Sequence, residues 1–189
     1  MSKIIAVEHV TLDGVMQAPG RADEDVRDGF RHGGWAHRHD DPVQAEVMGE
    51  HMATHHGALL LGRRTYEDFY GFWPQQTDNP YTDVLNKTEK FVASRTLTEP
   101  LPWENSTLLG GDVVAAVREL RQDLVVLGSG NLLQTLMRNE LVDEYLLMTH
   151  PIVVGGGRRL FEGADLGELR LIDSVTTPTG VVIATYQRG

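Results

Sequence analysis

Cysteine is absent from the 189 residues, so disulfides and thiol nucleophiles are excluded, and a metal site would have to be built from histidine and carboxylates. Long apolar runs are also missing: none approaches the roughly 20 residues that cross a bilayer. The apolar stretch KIIAV, residues 3 to 7, is too short and too poorly flanked for a signal peptide. A cytoplasmic location with no membrane partner is therefore expected. Positive charge is scarce, with 17 Lys and Arg against 27 Asp and Glu, a net charge of -10 at pH 7. That balance argues against nucleic acid as a partner, because a phosphate backbone selects a basic face. No repeat, low-complexity tract or Gly/Ser/Pro-rich linker divides the chain, so residues 1–189 are expected to form one domain. A chain of this length buries roughly 70% of the surface its unfolded form would expose.

What is present alternates between strands and helices. Residues 3 to 10 (KIIAVEHV) have the composition of a buried strand, and TLDGVMQAPG after it carries Asp-Gly and Pro-Gly turn signals. A long polar segment to about residue 41 is expected to serve as a lid, with Trp35 flanked by Gly33 and Gly34. Val43, Val47, Met48 and Met52 recur at helical steps and predict a helix over 42–56, with Pro42 in its first turn and Gly57 past its end. A strand at 58–62, a helix at about 64–70 and a loop rich in Pro, Asn and Asp to about 83 follow. KFVAS and STLLG read as short strands, Asp112 as the N-cap of VVAAVRELR, and DLVVLGSG as a strand running into glycines before the helix NLLQTLMRNEL. The remainder is β-rich and ends in a hairpin around Thr179-Gly180. The pattern predicts an α/β sheet that is parallel for most of its width and antiparallel at the carboxyl-terminal edge.

The charge distribution is informative where it reverses. LLLGRRTYEDF, residues 59 to 69, ends a strand in Gly62 and opens a helix with Arg63, Arg64 and Thr65. Helix N-termini at the carboxyl ends of parallel strands present unpaired N–H groups to anions. Gly128, Ser129 and Gly130 form a second such junction, with Asn131 and Leu132 opening the next helix. Ser94, Arg95 and Thr96 place another hydroxyl and guanidinium at a third strand end. Arg donates two parallel hydrogen bonds to a phosphomonoester. Three such ends match the adenosine 2′-phosphate, diphosphate and nicotinamide of NADPH, and the arginines select it over NADH.

Gly62-Arg63-Arg64-Thr65-Tyr66-Glu67 resembles the glycine-arginine-x-threonine-aromatic-glutamate motif of dihydrofolate reductases. Ser94-Arg95-Thr96 falls where that family contacts the 2′-phosphate, and Gly128-Ser129-Gly130 where it has its glycine pair. LVDEYLLMTHPIVVGGGRRLF and TLDG are closer still to the C-terminal reductase domain of the bifunctional deaminase-reductase of riboflavin synthesis. The resemblance spans essentially the whole chain. It implies a three-layer dihydrofolate reductase-like sandwich, an NADPH-dependent reductase, a small heterocyclic substrate and a homodimer.

The chain departs from the riboflavin pattern at two positions. Val15 stands where those reductases typically carry lysine, and Leu127 where they carry glutamate. The resemblance points to Glu46, on the helix 42–56, as the proton-donating carboxylate of the dihydrofolate reductases, with Asp13 of TLDG and Asp41 as further candidates. A metal is the competing chemistry, through His37, His39, Asp40 and Asp41 or through His51 and His55 one helical turn apart. No HExxH motif supports it, and no metal is expected. A protein that binds NADPH without turnover is the remaining alternative.

Overall fold

The computed structural model describes residues 2–54, 57–164 and 167–189. Eight strands form one sheet: β1 (Ile4–Thr11), β2 (Ala58–Gly62), β3 (Lys90–Ala93), β4 (Ser106–Leu109), β5 (Leu124–Leu127), β6 (Glu144–His150), β7 (Leu169–Thr176) and β8 (Val182–Arg188). Their order across the sheet is β4-β3-β2-β5-β1-β6-β8-β7. Neighbours from β4 to β6 pair in parallel, whereas β8 runs antiparallel to both β6 and β7. The mostly parallel sheet with an antiparallel end is the architecture expected. The hairpin turns at Thr177–Gly180, where Gly180 has φ +88°, and the Gly180 N–H donates to the Thr177 carbonyl at 2.9 Å.

β1 lies inside the sheet and is apolar on both faces, because alternate side chains enter different cores. Ile4, Ala6 and Val10 join Leu132, Leu133 and Leu136 of α5 (Gly130–Arg138) and Val117 of α4 (Val113–Glu119). Ile5 and Val7 join the opposite core, which contains Tyr66 of α2 (Arg63–Phe72) and Leu85 of α3 (Pro80–Lys87). Val47 and Met48 of α1 (Pro42–Thr54) pack against that second core. The result is three layers, with helices on both faces of the sheet.

Local chemistry explains the helix boundaries. Asp41 accepts from the Val43 N–H at 2.9 Å and starts α1 at Pro42. Asp112 accepts from Val114 and Ala115 N–H, as its type predicts for an N-cap. The segment expected to be a loop up to residue 83 instead contains a 3-10 turn (Trp73–Gln75) and α3. Asn79 caps α3 through the Tyr81 N–H at 3.0 Å, and Pro80 occupies its first turn. The long polar segment before residue 41 is held to the body by a third apolar cluster: Val15, Ala18, Phe30, Trp35 and Ala36.

Candidate functional site

A cleft of about 1880 Å³ opens beyond the carboxyl ends of β1, β2, β3 and β5. Parallel strands bring their βα junctions to one side, so residues distant in the chain meet there. Gly62, Arg63, Arg64, Thr65, Ser94, Arg95, Thr96, Gly128, Ser129, Gly130, Asn131 and Leu132 all line it. The sequence motifs thus converge on one surface.

The two glycine junctions touch. The Gly62 N–H donates to Ser129 Oγ at 2.8 Å, and a Cβ placed on Gly128 would lie 3.5 Å from the Thr65 methyl. Gly128 and Ser129 both have left-handed backbones, with φ +61° and +64°. This turn releases the strand into α5 and leaves the first amides of the helix facing the cleft. At the neighbouring strand end, Ser94 Oγ accepts from the N–H groups of Thr96 (3.1 Å) and Leu97 (3.0 Å), which shapes the turn that carries the exposed Arg95. Arg63 is partly exposed and bonds Glu67 one helical turn on at 3.0 Å. Arg64 is exposed on the same first turn.

Two of the three carboxylates expected to supply a proton lie elsewhere. Asp13 does not line the cleft. It accepts from Thr11 Oγ1 at 2.6 Å and from the N–H groups of Gly155 at 2.9 Å and Val154 at 3.3 Å. The Thr11 hydroxyl and these amides hold its carboxyl below the usual carboxylate range. It pins the TLDG turn to the 154–155 segment as an anion, so it is a poor acid. Glu46 is exposed on α1 and is also absent from the cleft lining. Asp41 does line it, and is occupied as the cap of α1. Of the two departures, Leu127 lines the cleft, whereas Val15 is fully buried against the third cluster and does not.

Parts of the segment 16–41 line the cleft. Met16 to Arg21, Glu24, Ala36 and His37 are all on its wall. Trp35, however, is 1% exposed, and its Nε1–H donates to the Gln17 carbonyl at 2.7 Å. It anchors the covering segment instead of closing over a ligand. The segment is latched across the cleft by the Arg21–Asp68 ion pair, with the Arg21 guanidinium 4.9 Å from the centre of the Phe72 ring.

Sequence reasoning missed three ionisable groups. Glu8 and His9 lie in the second half of β1, and Glu24 lies in the covering segment. Glu8 is 3% exposed; burial and the Glu24 carboxylate push its carboxyl well above the usual range, against the pull of the Gly128 N–H. Glu24 is raised by burial too, although the N–H groups of Gly20 (2.7 Å) and Arg21 (3.0 Å) bond its Oε2. His9 Nδ1 lies 2.8 Å from Nε2 of the fully buried His150, whose ring meets Trp35 edge-on. Burial lowers both imidazoles to about 4, so each is neutral at pH 7. The apolar run around Glu8 carried the signal: a carboxylate amid IIAV-HV belongs to a buried strand and therefore needs a reason.

Among the described residues no three His, Asp or Glu side chains gather as a metal site. His37 bonds Asp40 at 2.8 Å, and His55 lies outside the described residues. No helix among the described residues is long and apolar enough to cross a membrane.

Comparison with known proteins identifies the family and the fold. The family model described as RibD C-terminal domain matches residues 2–183. The uncharacterised protein YyaP of Bacillus subtilis (strain 168) is 28% identical over 139 residues, covering 68% of this chain and 72% of that protein. A protein from Shewanella sp. PV-4, provisionally described as a riboflavin biosynthesis protein, has a similar structure, with a TM-score of 0.76 at 24% identity over 99% of each chain. Dihydrofolate reductase from Enterococcus faecalis, complexed with NADP(H) and RAB-propyl, matches with a TM-score of 0.63 at 14% identity, covering 99% of this chain and 96% of that one. These two likenesses show a shared dihydrofolate reductase-like fold.

Proposed function

The chain belongs to the RibD C-terminal domain family, and on that premise we propose that it is an NADPH-dependent reductase, a cytoplasmic enzyme acting on a small pteridine- or aminouracil-like heterocycle. The observation that carries this reading is the convergence of the three anion-binding junctions on one cleft, in the order of consecutive strands β3, β2, β5 and β1. Arg95 and Arg63, with Arg64, Thr65, Ser94 and Thr96, stand where a 2′-phosphate would be held. The amides of Gly128 to Gly130, at the start of α5 with Asn131 and Leu132, suit a diphosphate. The next strand end, that of β1, is then left for the nicotinamide. NADPH, when bound, supplies the hydride, and the protein's task is to hold the ring against the acceptor and keep water out.

Titration with NADPH, followed by a screen for loss of nicotinamide absorbance with pteridines, aminouracils and small conjugated carbonyls, tests the proposal. Binding with turnover of one acceptor supports it. Binding with none identifies a binding protein without turnover, and failure to bind NADPH removes both readings.

The second reading is the phosphorylated ribosylaminouracil reductase of riboflavin synthesis. Leu127 on the cleft wall speaks against it, because a glutamate there would offer the polar contact that leucine cannot. Losing such a partner at a buried position costs on the order of 1–3 kcal/mol. Restored growth of a riboflavin auxotroph lacking only the reductase step, at ordinary expression, would reinstate the pathway role.

A homodimer is part of the same proposal. β7 ends the sheet with every residue exposed, among them Leu171 at 52% and Ile172 at 43%, and an apolar edge strand of that kind is a surface for a second copy. Sedimentation should give twice 21.0 kDa at micromolar concentration; a monomer would overturn this part.

A further inference from the structure

Glu8 lines the cleft from the second half of β1 while only 3% exposed, and its Oε1 has no hydrogen-bond partner among the described residues. A carboxyl serving packing alone would use both oxygens, since an unpaired buried polar atom costs on the order of 1–3 kcal/mol. Here the Gly128 N–H approaches the same carboxyl from the glycine turn. Glu8 therefore sits immediately beside the junction suited to a diphosphate, one strand further along the sheet, in the order β3, β2, β5, β1. A dinucleotide laid across those ends brings its nicotinamide to β1. The carboxamide on that ring carries a carbonyl oxygen that accepts and an amino group that donates.

We propose that the Glu8 carboxyl donates a hydrogen bond to the carboxamide oxygen of the bound nicotinamide and so ties cofactor affinity to its own protonation. The inference rests on the NADPH reading above. Ionisation of Glu8 would remove the donor and set a negative charge beside a polyanionic ligand, so affinity falls as pH rises through its titration.

The surrounding charges are compatible with that assignment. Glu24, from the covering segment, is the carboxylate that acts on Glu8 and favours its neutral form. Arg21 and Asp68 act in turn on Glu24 and are paired with each other. His9 follows Glu8 on β1 and therefore points to the other face of the sheet. With His150 it is neutral above about pH 4, and neither adds a titration at neutral or alkaline pH. Arg27 is spent on Asp25. Arg158, on the same cleft wall, bonds Asp28 at 3.0 Å. At the starts of α2 and α5, Thr65, Gly128, Ser129 and Gly130 carry no charge, while Arg63, paired with Glu67, and Arg64 are the cations there.

The test is the dissociation constant of NADPH and of NADH, read by fluorescence from mildly acid to alkaline pH, for the wild type, Glu8→Gln, Glu8→Leu and Glu24→Gln. Wild-type affinity should fall as pH rises through the Glu8 titration. E8Q, which keeps an N–H donor and cannot ionise, should hold the acid-side affinity throughout. At the acid end of the range E8L should bind roughly tenfold more weakly than wild type, equally so for both cofactors, since a lost hydrogen bond is worth about 1.4 kcal/mol and both carry the carboxamide, and the difference should close as Glu8 ionises in the wild type. E24Q should move the wild-type inflection to lower pH. E8Q retaining the wild-type pH profile, or E8L binding as tightly as wild type at the acid end, would overturn the inference while leaving the cofactor reading intact. If E8L does not fold, E8Q decides. No binding of NADPH by the wild type at any pH would instead overturn the cofactor reading, and this inference with it.

Discussion

Ser129 Oγ accepts the main-chain N–H of Gly62 at 2.8 Å, joining two βα turns that lie 67 residues apart in the chain. The bond brings both glycine junctions into one rigid wall, and Ser129 makes it from a left-handed backbone that a side chain ordinarily avoids. Two energies of similar size therefore oppose each other at this position. Ser129→Ala loses the bond and keeps the backbone strain, and should destabilise the fold by about 1–2 kcal/mol. Ser129→Gly loses the bond and relieves the strain, and should fall within about 1 kcal/mol of wild type. Urea unfolding of the two variants checks the order; equal losses would show that the strain is negligible.

Arg63 shares its guanidinium with Glu67 in a partly exposed pair, which leaves donors free toward the cleft. Arg63→Ala should weaken NADPH by about 1.5–3 kcal/mol and leave NADH nearly unchanged, and Arg95→Ala should do the same to a smaller degree. Calorimetric titration with both cofactors measures the difference. Equal loss for NADPH and NADH would remove the 2′-phosphate assignment.

The neutral His9–His150 pair makes the fold sensitive to acid. Both imidazoles titrate near 6.5 when unfolded and near 4 when folded. Between those values the unfolded chain binds more protons, so stability is fully present above about pH 6.5 and is lost as pH falls toward 4. The loss is on the order of 3 kcal/mol for each imidazole. Chemical denaturation across this interval should show the decline, and His150→Gln should flatten it. A wild-type profile that stays level would mean the rings are protonated in the folded state.

Gly157 has φ +117°, and a Cβ there would meet the Phe30 ring at 2.7 Å and Val15 at 2.9 Å. Its strain and its clash lie against the cluster that anchors the covering segment, so Gly157→Ala should cost about 2–4 kcal/mol. A midpoint within a degree or two of wild type in thermal unfolding would contradict this. Gly156, whose Cβ would meet nothing within 4 Å, is the control and should tolerate alanine.

Much of the fold was legible because it is encoded within a few residues of itself. Strand runs such as IIAV, LLLG and LVVL, the Asp112 cap and the two glycine junctions depend on local hydrogen bonding and on steric freedom, which composition reveals. α3 was legible in principle through Asn79 and Pro80, but the same residues also mark turns, and the turn-like composition around them hid the helix. The residues at the βα junctions were brought to one cleft for a similar reason: each stands in a short motif, and parallel strands carry all such motifs to one side of the sheet.

Which acids and bases face the cleft was decided by tertiary structure alone. Asp13 and Glu46 have the chemistry of a proton donor, yet the turn consumes one and solvent surrounds the other. Glu8 and His9 look like strand filler until β1 takes its place between β5 and β6. That pairing sets Glu8 beside Gly128 and brings His9 to His150, 141 residues later in the chain. The sequence by itself determined the elements and the glycine, hydroxyl and arginine content of their junctions, because those depend on nearest neighbours. The ionisation states and the polar lining of the cleft came only with the sheet, because burial and charge contact are properties of residues that meet through folding.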